Sequence, residues 1–258
     1  MITRFKEIYL YRNMLISFVK KDLRTRYKGS VLGFLWTFIN PLMQLIVFSL
    51  VFPFVMRFDI PNYATFLFVA LVPWMYFSST LVGGCAQIFS QSGLVTKIYF
   101  PREIIPLTFV IGGLCNMIFA YMIIFPMLFA FNIPLTIHLL WLPVLFIIQM
   151  ILCMGIALMV SAIYVYFRDI EHILGICAMA LQFLTPVIYD IDMLPYRMQS
   201  IIMINPMTLL ILNYRNVVFF GNAPNLTHIA IGIITAIAVF FLGMLLFNKL
   251  QRGFAEAM

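Results

Sequence analysis

Six long apolar runs divide the chain, at roughly 31–56, 65–89, 104–131, 140–167, 173–189 and 226–248. Each is continuous, and a helix needs about 20 apolar residues to cross the hydrocarbon of a bilayer. Membrane β-strands would be shorter and would alternate with polar lumen residues. The pattern predicts an all-α, polytopic membrane protein with six transmembrane helices. The fifth run is the shortest of the six.

Two segments break the pattern. In the first thirty residues Ile8, Tyr11, Leu15, Phe18, Val19, Leu23 and Tyr27 recur every three or four positions, so they share one helical face. Lys20, Arg24 and Lys28 step by four along another face. Residues 1–30 therefore predict an amphipathic helix in the membrane interface, where anionic lipid adds about 1 kcal/mol per cation. Residues 190–219 hold Asp190, Asp192, Pro195, Arg197, Asn205, Pro206, Asn213 and Arg215 between apolar pieces too short to cross. A seventh span at 207–219 would put the termini on opposite sides. A re-entrant pair of short helices fits better, because irregular backbone at membrane depth must be covered by protein or line a water-filled cavity.

Charge sets the orientation. Placing the N-terminus in the cytoplasm puts thirteen of the sixteen Lys and Arg inside and leaves only Arg57, Arg197 and Arg215 outside. The positive-inside bias thus predicts both termini in the cytoplasm. The first thirty residues lack the short apolar core and small-residue cleavage site of a signal peptide. Composition agrees: 64% of residues are hydrophobic and 10% charged, whereas soluble domains are near half apolar and a quarter charged. In a membrane protein, a formal net charge of +7 points to anionic lipid or an anionic substrate rather than nucleic acid. No internal repeat or low-complexity tract divides the chain, which reads as one domain over 1–258.

Enzyme chemistry finds little support. There is no Gly-rich phosphate loop with a Lys, no His-rich metal set and no Ser/His/Asp set at one depth. No acid needs to sit within the membrane, where one would cost about 2.5–3.5 kcal/mol. Cys85, Cys115, Cys153 and Cys177 fall in apolar runs without a CxxC or a nearby His, and read as buried or lipid-facing thiols. Asp190-Ile191-Asp192 resembles the metal-holding DxD of glycosyltransferases, but also reads as a solvated helix end.

The span interiors carry uncharged polar groups instead. Gly33, Trp36, Thr37, Asn40 and Gln44 form one stripe on the first span; Gln182, Thr185 and Tyr189 form another on the fifth. Amides and hydroxyls of this kind join helices in lipid. They also suit a passage for sugars, which offer hydroxyl edges and C–H faces. Between the second and third spans, Pro101 and Pro106 bracket Arg102 and Glu103, preceded by Lys97 and the apolar row Ile98, Tyr99 and Phe100. An apolar patch flanked by charges suits docking into a partner's groove.

"RTRYKGSVLGFLWTFINPLMQLIVF" (Arg24 to Phe48), "LVTKIYFPREIIPL" (Leu94 to Leu107), "YFRDI" (Tyr166 to Ile170) and "NPMTLLILNYRNVVF" (Asn205 to Phe219) resemble the transmembrane permease of the ABC-2 polysaccharide exporters, nearly end to end. The O-antigen and teichoic acid branch is closer than the capsule branch. The resemblance implies a homodimer in the bacterial inner membrane, with two copies of a separate ATPase subunit. ATP and Mg would sit on that subunit, so this chain would bind no cofactor. It implies that the N-terminal helix and the loop carrying Lys97, Tyr99, Phe100, Pro101, Arg102 and Glu103 contact the ATPase. On the functional reading of the two polar stripes, the channel would open between the first and fifth spans, lined by Trp36, Asn40, Gln44, Gln182, Thr185 and Tyr189. An outer gate would carry Pro195, Asn205, Pro206 and Arg215. The substrate would be a glycan on undecaprenyl pyrophosphate, met at the inner leaflet by Arg24, Arg26 and Lys28. Alternatively, those cations only satisfy anionic lipid and the inside bias. Competing classes are a drug or lipid exporter, a membrane glycosyl or lipid transferase using Asp190 and Asp192, and a scaffold subunit.

Overall fold

The computed structural model describes residues 2–26, 28–56 and 60–254. Tyr27 of the expected amphipathic face and Arg57 of the expected outer loop lie outside them. Among the described residues every regular element is helical.

The N-terminal segment forms α1 (Ile2–Leu10) and α2 (Arg12–Thr25). They are parted at Tyr11, but Tyr11 N donates to Glu7 O and Leu15 N to Tyr11 O, both at 3.1 Å, so the rod is kinked rather than cut. The helix stops at Thr25, short of the expected residue 30, where Gly29 adopts a left-handed φ of 83°. Its apolar face does not simply meet lipid. Ile8, Tyr11, Met14, Leu15 and Phe18 pack on a cluster that includes Phe100, Ile104, Ile105, Phe247 and Phe254.

The first two spans are α3 (Trp36–Met56) and α4 (Tyr63–Gly83). α4 is the hub: fifteen of its 21 residues are buried, and α3, α7, α9, α10 and α12, defined below, all pack on it. The second apolar run was expected to continue to residue 89. It turns at Gly83-Gly84 into α5 (Gln87–Ser90) and α6 (Ser92–Lys97), short helices at the head of the connecting loop. The third span is α7 (Ile104–Tyr121), continued by α8 (Ile124–Ala130), and the fourth is α9 (Leu142–Tyr164).

The fifth apolar helix, α10 (Ile170–Leu184), begins and ends earlier than expected. Pro186 disfavours helical backbone at Thr185, which is extended at φ −102° and ψ 136°. Fifteen residues span about 22 Å, less than the ~30 Å hydrocarbon core. Among the described residues five helical segments are long and apolar enough to cross a membrane, Gly33–Phe54, Tyr63–Gly83, Ile104–Ala130, Ile137–Tyr164 and Leu226–Gly253, or six if the bent pair Tyr196–Ile202 and Pro206–Val218 is one span.

After α10 come α11 (Tyr196–Ile202) and α12 (Pro206–Val218), bent by 106°. Asn205 and Pro206 set the corner: the Asn205 side chain accepts from Met207 N at 3.0 Å, and Pro206 occupies the first helical turn. The two arms differ. α11 has no buried residue, whereas ten of the thirteen residues of α12 are buried. The second arm is therefore core rather than a surface cap. The last span, α13 (Leu226–Leu250), crosses α9 where an added Cβ at Gly243 would strike the Gly155 carbonyl oxygen. Two glycines let these backbones touch, as membrane helices do when small residues face each other.

Contacts sort the ends of the bundle. α2, the 84–103 loop, the 165–169 loop and the C-terminal segment share a basic end, where Arg102 reaches Gln251 and Tyr166 reaches Leu250. The 185–225 region shares the opposite end with the turns that precede α4 and α9, where Tyr63 reaches Ile188 and Gly221 abuts Thr136.

Candidate functional sites at the two ends

The three cations expected to act together do not. Arg24 and Lys28 join Lys20, Lys21, Ser17 and Thr25 around a surface hollow of about 540 Å³. Among the described residues no carboxylate lines this shelf, and its four cations make no ion pair there. Arg26 points elsewhere. Its Nε donates to Asp22 Oδ2 at 2.8 Å, and its guanidinium carbon lies 5.2 Å from the Phe109 ring centre. Gly112 makes room for the pair: an added Cβ there would strike the Asp22 carboxylate.

Arg26 instead lies at a crevice of about 170 Å³ between α3, α4 and α7, shared with Trp36, Thr37, Asn40, Tyr76, Ser79 and Asn116. The Thr37 hydroxyl donates to Asn116 Oδ1 at 2.9 Å, and the Trp36 indole donates to Ser30 Oγ at 3.1 Å. Tyr76 donates to the Val110 carbonyl at 3.1 Å, and its ring fits over Gly113. Sequence reasoning found Trp36, Thr37 and Asn40 but missed Asp22, Tyr76, Ser79 and Asn116. The available signal was Gly112-Gly113 followed by Asn116 inside an otherwise apolar run.

The two expected channel stripes fare differently. On α3, Trp36, Asn40 and Gln44 are all exposed along one side of the protomer. The second stripe does not form, because α10 ends before it is complete. Thr185 is fully buried and accepts from Asn205 Nδ2 at 2.9 Å, within the protomer. Tyr189 donates to the Phe183 carbonyl at 3.0 Å, and Gln182 is half-buried. The exposed face of α10 is mainly apolar instead, with Ile173, Ile176, Met179 and Phe183, together with Cys177.

The 97–103 loop divides into a presented part and an anchored part. Lys97, Ile98 and Tyr99 are exposed, Tyr99 to 84%. Phe100, Pro101 and Glu103 are buried, with Phe18 of α2 edge-on to Phe100 at 6.4 Å. The anchor is the C-terminal segment, which the sequence did not flag. Arg102 Nη1 donates to the Gln251 carbonyl at 2.6 Å, and Gln251 Nε2 donates to Glu103 Oε1 at 3.2 Å. Tyr166, from the next loop, donates to the Leu250 carbonyl at 2.7 Å. Phe254 is fully buried between Phe247 and Tyr166. Both loops of the basic end are therefore clasped to the end of α13.

At the opposite end Arg215 is the organising group. It is buried to 1% exposure; Nη1 donates to the Tyr189 carbonyl at 3.0 Å and Nη2 to the Val187 carbonyl at 2.7 Å. Its guanidinium carbon lies 3.6 Å from the Phe66 ring centre. It therefore ties the chain after α10 to both α12 and α4. Pro195 is exposed at the start of α11, while Asn205 and Pro206 form the corner. Asp190 Oδ1 accepts from Asp192 N at 3.3 Å and caps a short 3-10 turn. Among the described residues no cluster of three or more His, Cys, Asp or Glu could hold a metal ion.

A multi-pass bundle, an amphipathic helix packed on the loop between its second and third spans, and a bent helix pair before the last span define a membrane permease. Residues 14–219 match the ABC-2 type transporter family, and the chain belongs to it. It is 33% identical to "O-antigen export system permease protein RfbA" of Myxococcus xanthus, covering all of both chains. It is 34% identical to a protein of the same description from Klebsiella pneumoniae, over 96% of this chain and 95% of that one. "Polysialic acid transport protein KpsM" of Escherichia coli is 22% identical over 90% of this chain and 92% of its own length.

Proposed function

We propose that this chain is the permease of an ATP-driven exporter that moves an undecaprenyl pyrophosphate-linked polysaccharide of the O-antigen type across the bacterial inner membrane. Two copies enclose the conduit, and each binds one ATPase subunit at its basic end, with both termini in the cytoplasm. The observation that carries this reading is the exposed row of Trp36, Asn40 and Gln44 on α3. Amides facing acyl chains would lose their hydrogen bonds, so that side calls for a wet passage or a second copy of the chain. The full-length similarity to two O-antigen export permeases supports the choice of cargo.

The parts follow from the geometry. The shelf of Lys20, Lys21, Arg24 and Lys28 attracts the pyrophosphate, because its charge is unpaired. Tyr99 and Ile98 dock on the ATPase, and the buried half of the loop carries motion into the bundle. At the far end the Arg215-braced segment and α11 close the conduit. The amides of α3 offer weak, repeated contacts, so the chain slides without being held at one place.

Gln44→Cys in membranes tests the conduit, with the native cysteines changed to serine. It should react with a charged, membrane-impermeant maleimide while ATP turns over, and should cross-link between copies. A Gln44→Cys that stays unlabelled and uncross-linked under turnover would refute the arrangement.

A further inference from the structure

The crevice at Arg26 differs from the cationic shelf in the property that decides its ligand. The shelf has four cations and no carboxylate. At the crevice the one cation is paired with Asp22 at 2.8 Å, so the pair is net neutral. A phosphate gains most from unpaired cations. A paired guanidinium still donates through its other N–H groups without attracting anions.

The remaining lining is equally selective. Trp36 brings an aromatic ring, held by the indole bond to Ser30. Asn116 is fixed through its oxygen by Thr37. Asn40 and Ser79 are exposed at the crevice, and their side chains make no hydrogen bond to another described residue. An aromatic face with amides and hydroxyls around it matches the C–H face and hydroxyl edge of a sugar ring. Few placed polar groups in a concave, part-apolar site are the mark of a small-ligand site. Two adjacent glycines of α7 build it: Gly112 admits the Asp22–Arg26 pair, and Gly113 admits the Tyr76 ring.

We propose that this crevice binds one neutral sugar residue, stacked on Trp36 and hydrogen-bonded by Asn40, Ser79 and Asn116. That the sugar belongs to a lipid-linked glycan rests on the export reading; the preference for a sugar over a phosphate rests on the crevice alone. Trp36 and Asn40 belong to both the crevice and the exposed row of α3, so the site is a side pocket of the proposed conduit and would contact one sugar of the cargo at a time at the basic end.

The full-length chain, purified in a polyoxyethylene detergent, is titrated with octyl glycosides bearing gluco, galacto, manno and N-acetylglucosamine headgroups, and with dodecyl phosphate. Tryptophan emission is the readout, assigned to Trp36 by its loss in Trp36→Phe. At least one glycoside should give a saturable change. Asn40→Leu, at an exposed position, should weaken it by about tenfold, the loss of one well-made polar contact. Gly112→Ala, which displaces the Asp22 carboxylate, should weaken it as well. A flat response to all four glycosides, a response to dodecyl phosphate alone, or an Asn40→Leu curve matching the parent would overturn the assignment. The two readings fail separately. Unchanged surface polysaccharide after deletion of the gene sinks the export reading and leaves the titration standing. A flat titration with export intact sinks the crevice alone.

Discussion

Replacing Arg215 with lysine separates the role of its shape from that of its charge. Arg215→Lys keeps a basic group, but an ammonium is more strongly hydrated than a guanidinium, so burying it costs at least as much. The geometry does not survive. The guanidinium serves the Val187 and Tyr189 carbonyls at 2.7 and 3.0 Å while its carbon lies over the Phe66 ring, 3.6 Å from the ring centre. A lysine ammonium is a point charge on a flexible stem and cannot do all three. Losing one hydrogen bond from a charged donor costs about 1.5–3 kcal/mol. The weakened ring contact adds up to about 1 kcal/mol. The sum is about 2–4 kcal/mol, or about 4–16 °C in Tm for a chain of this size. Thermal unfolding of the purified protein, followed by tryptophan emission, measures it. A local readout comes from Val187→Cys in a chain without other cysteines. Val187 is fully buried, so its thiol should be slow to label beside Arg215 and faster beside the lysine. An unchanged Tm together with unchanged labelling would refute the view that Arg215 braces this end.

Four further outcomes are expected. Gln251→Leu removes the donor to the fully buried Glu103 carboxylate and should cost about 1–3 kcal/mol; adding Glu103→Gln should recover part of the lost Tm, because the stranded charge is gone. Gly243→Ala forces a methyl onto the Gly155 carbonyl, which backbone cannot yield, and should cost about 1–3 kcal/mol or more, seen as loss of monodisperse protein in detergent. Gly175→Ala, with nothing within 4 Å of the added carbon, should keep or raise the Tm by comparison. Tyr99→Ala, at an exposed position, should leave Tm unchanged but reduce co-purification of the ATPase subunit with a tagged permease; undiminished recovery would rule out that docking residue.

The sequence by itself determined the class of fold and the course of the chain. Continuous apolar runs of about 20 residues admit little except helices in lipid, because every backbone group must be satisfied within its own segment. That constraint is local, so α3, α4, α7, α9 and α13 were legible with small errors at their ends. Pro206 after Asn205 likewise announced the corner of the bent pair. The residue just before a proline is also a local matter: Pro186 ends α10 at Leu184, so helical spacing from Gln182 to Tyr189 does not hold. Which polar side chains meet is not local. Arg24 and Arg26 are two residues apart but serve different sites, the shelf and the crevice; Asp22, four residues before Arg26 on the same helix, was within reach of local spacing, and only packing at Gly112 placed the pair at the crevice. The clasp joins Glu103 to Gln251 across 148 positions, a separation no periodicity can report. Hydropathy records how each helix meets lipid; where helices meet each other depends on small residues and single hydrogen bonds, which leave almost no trace in it.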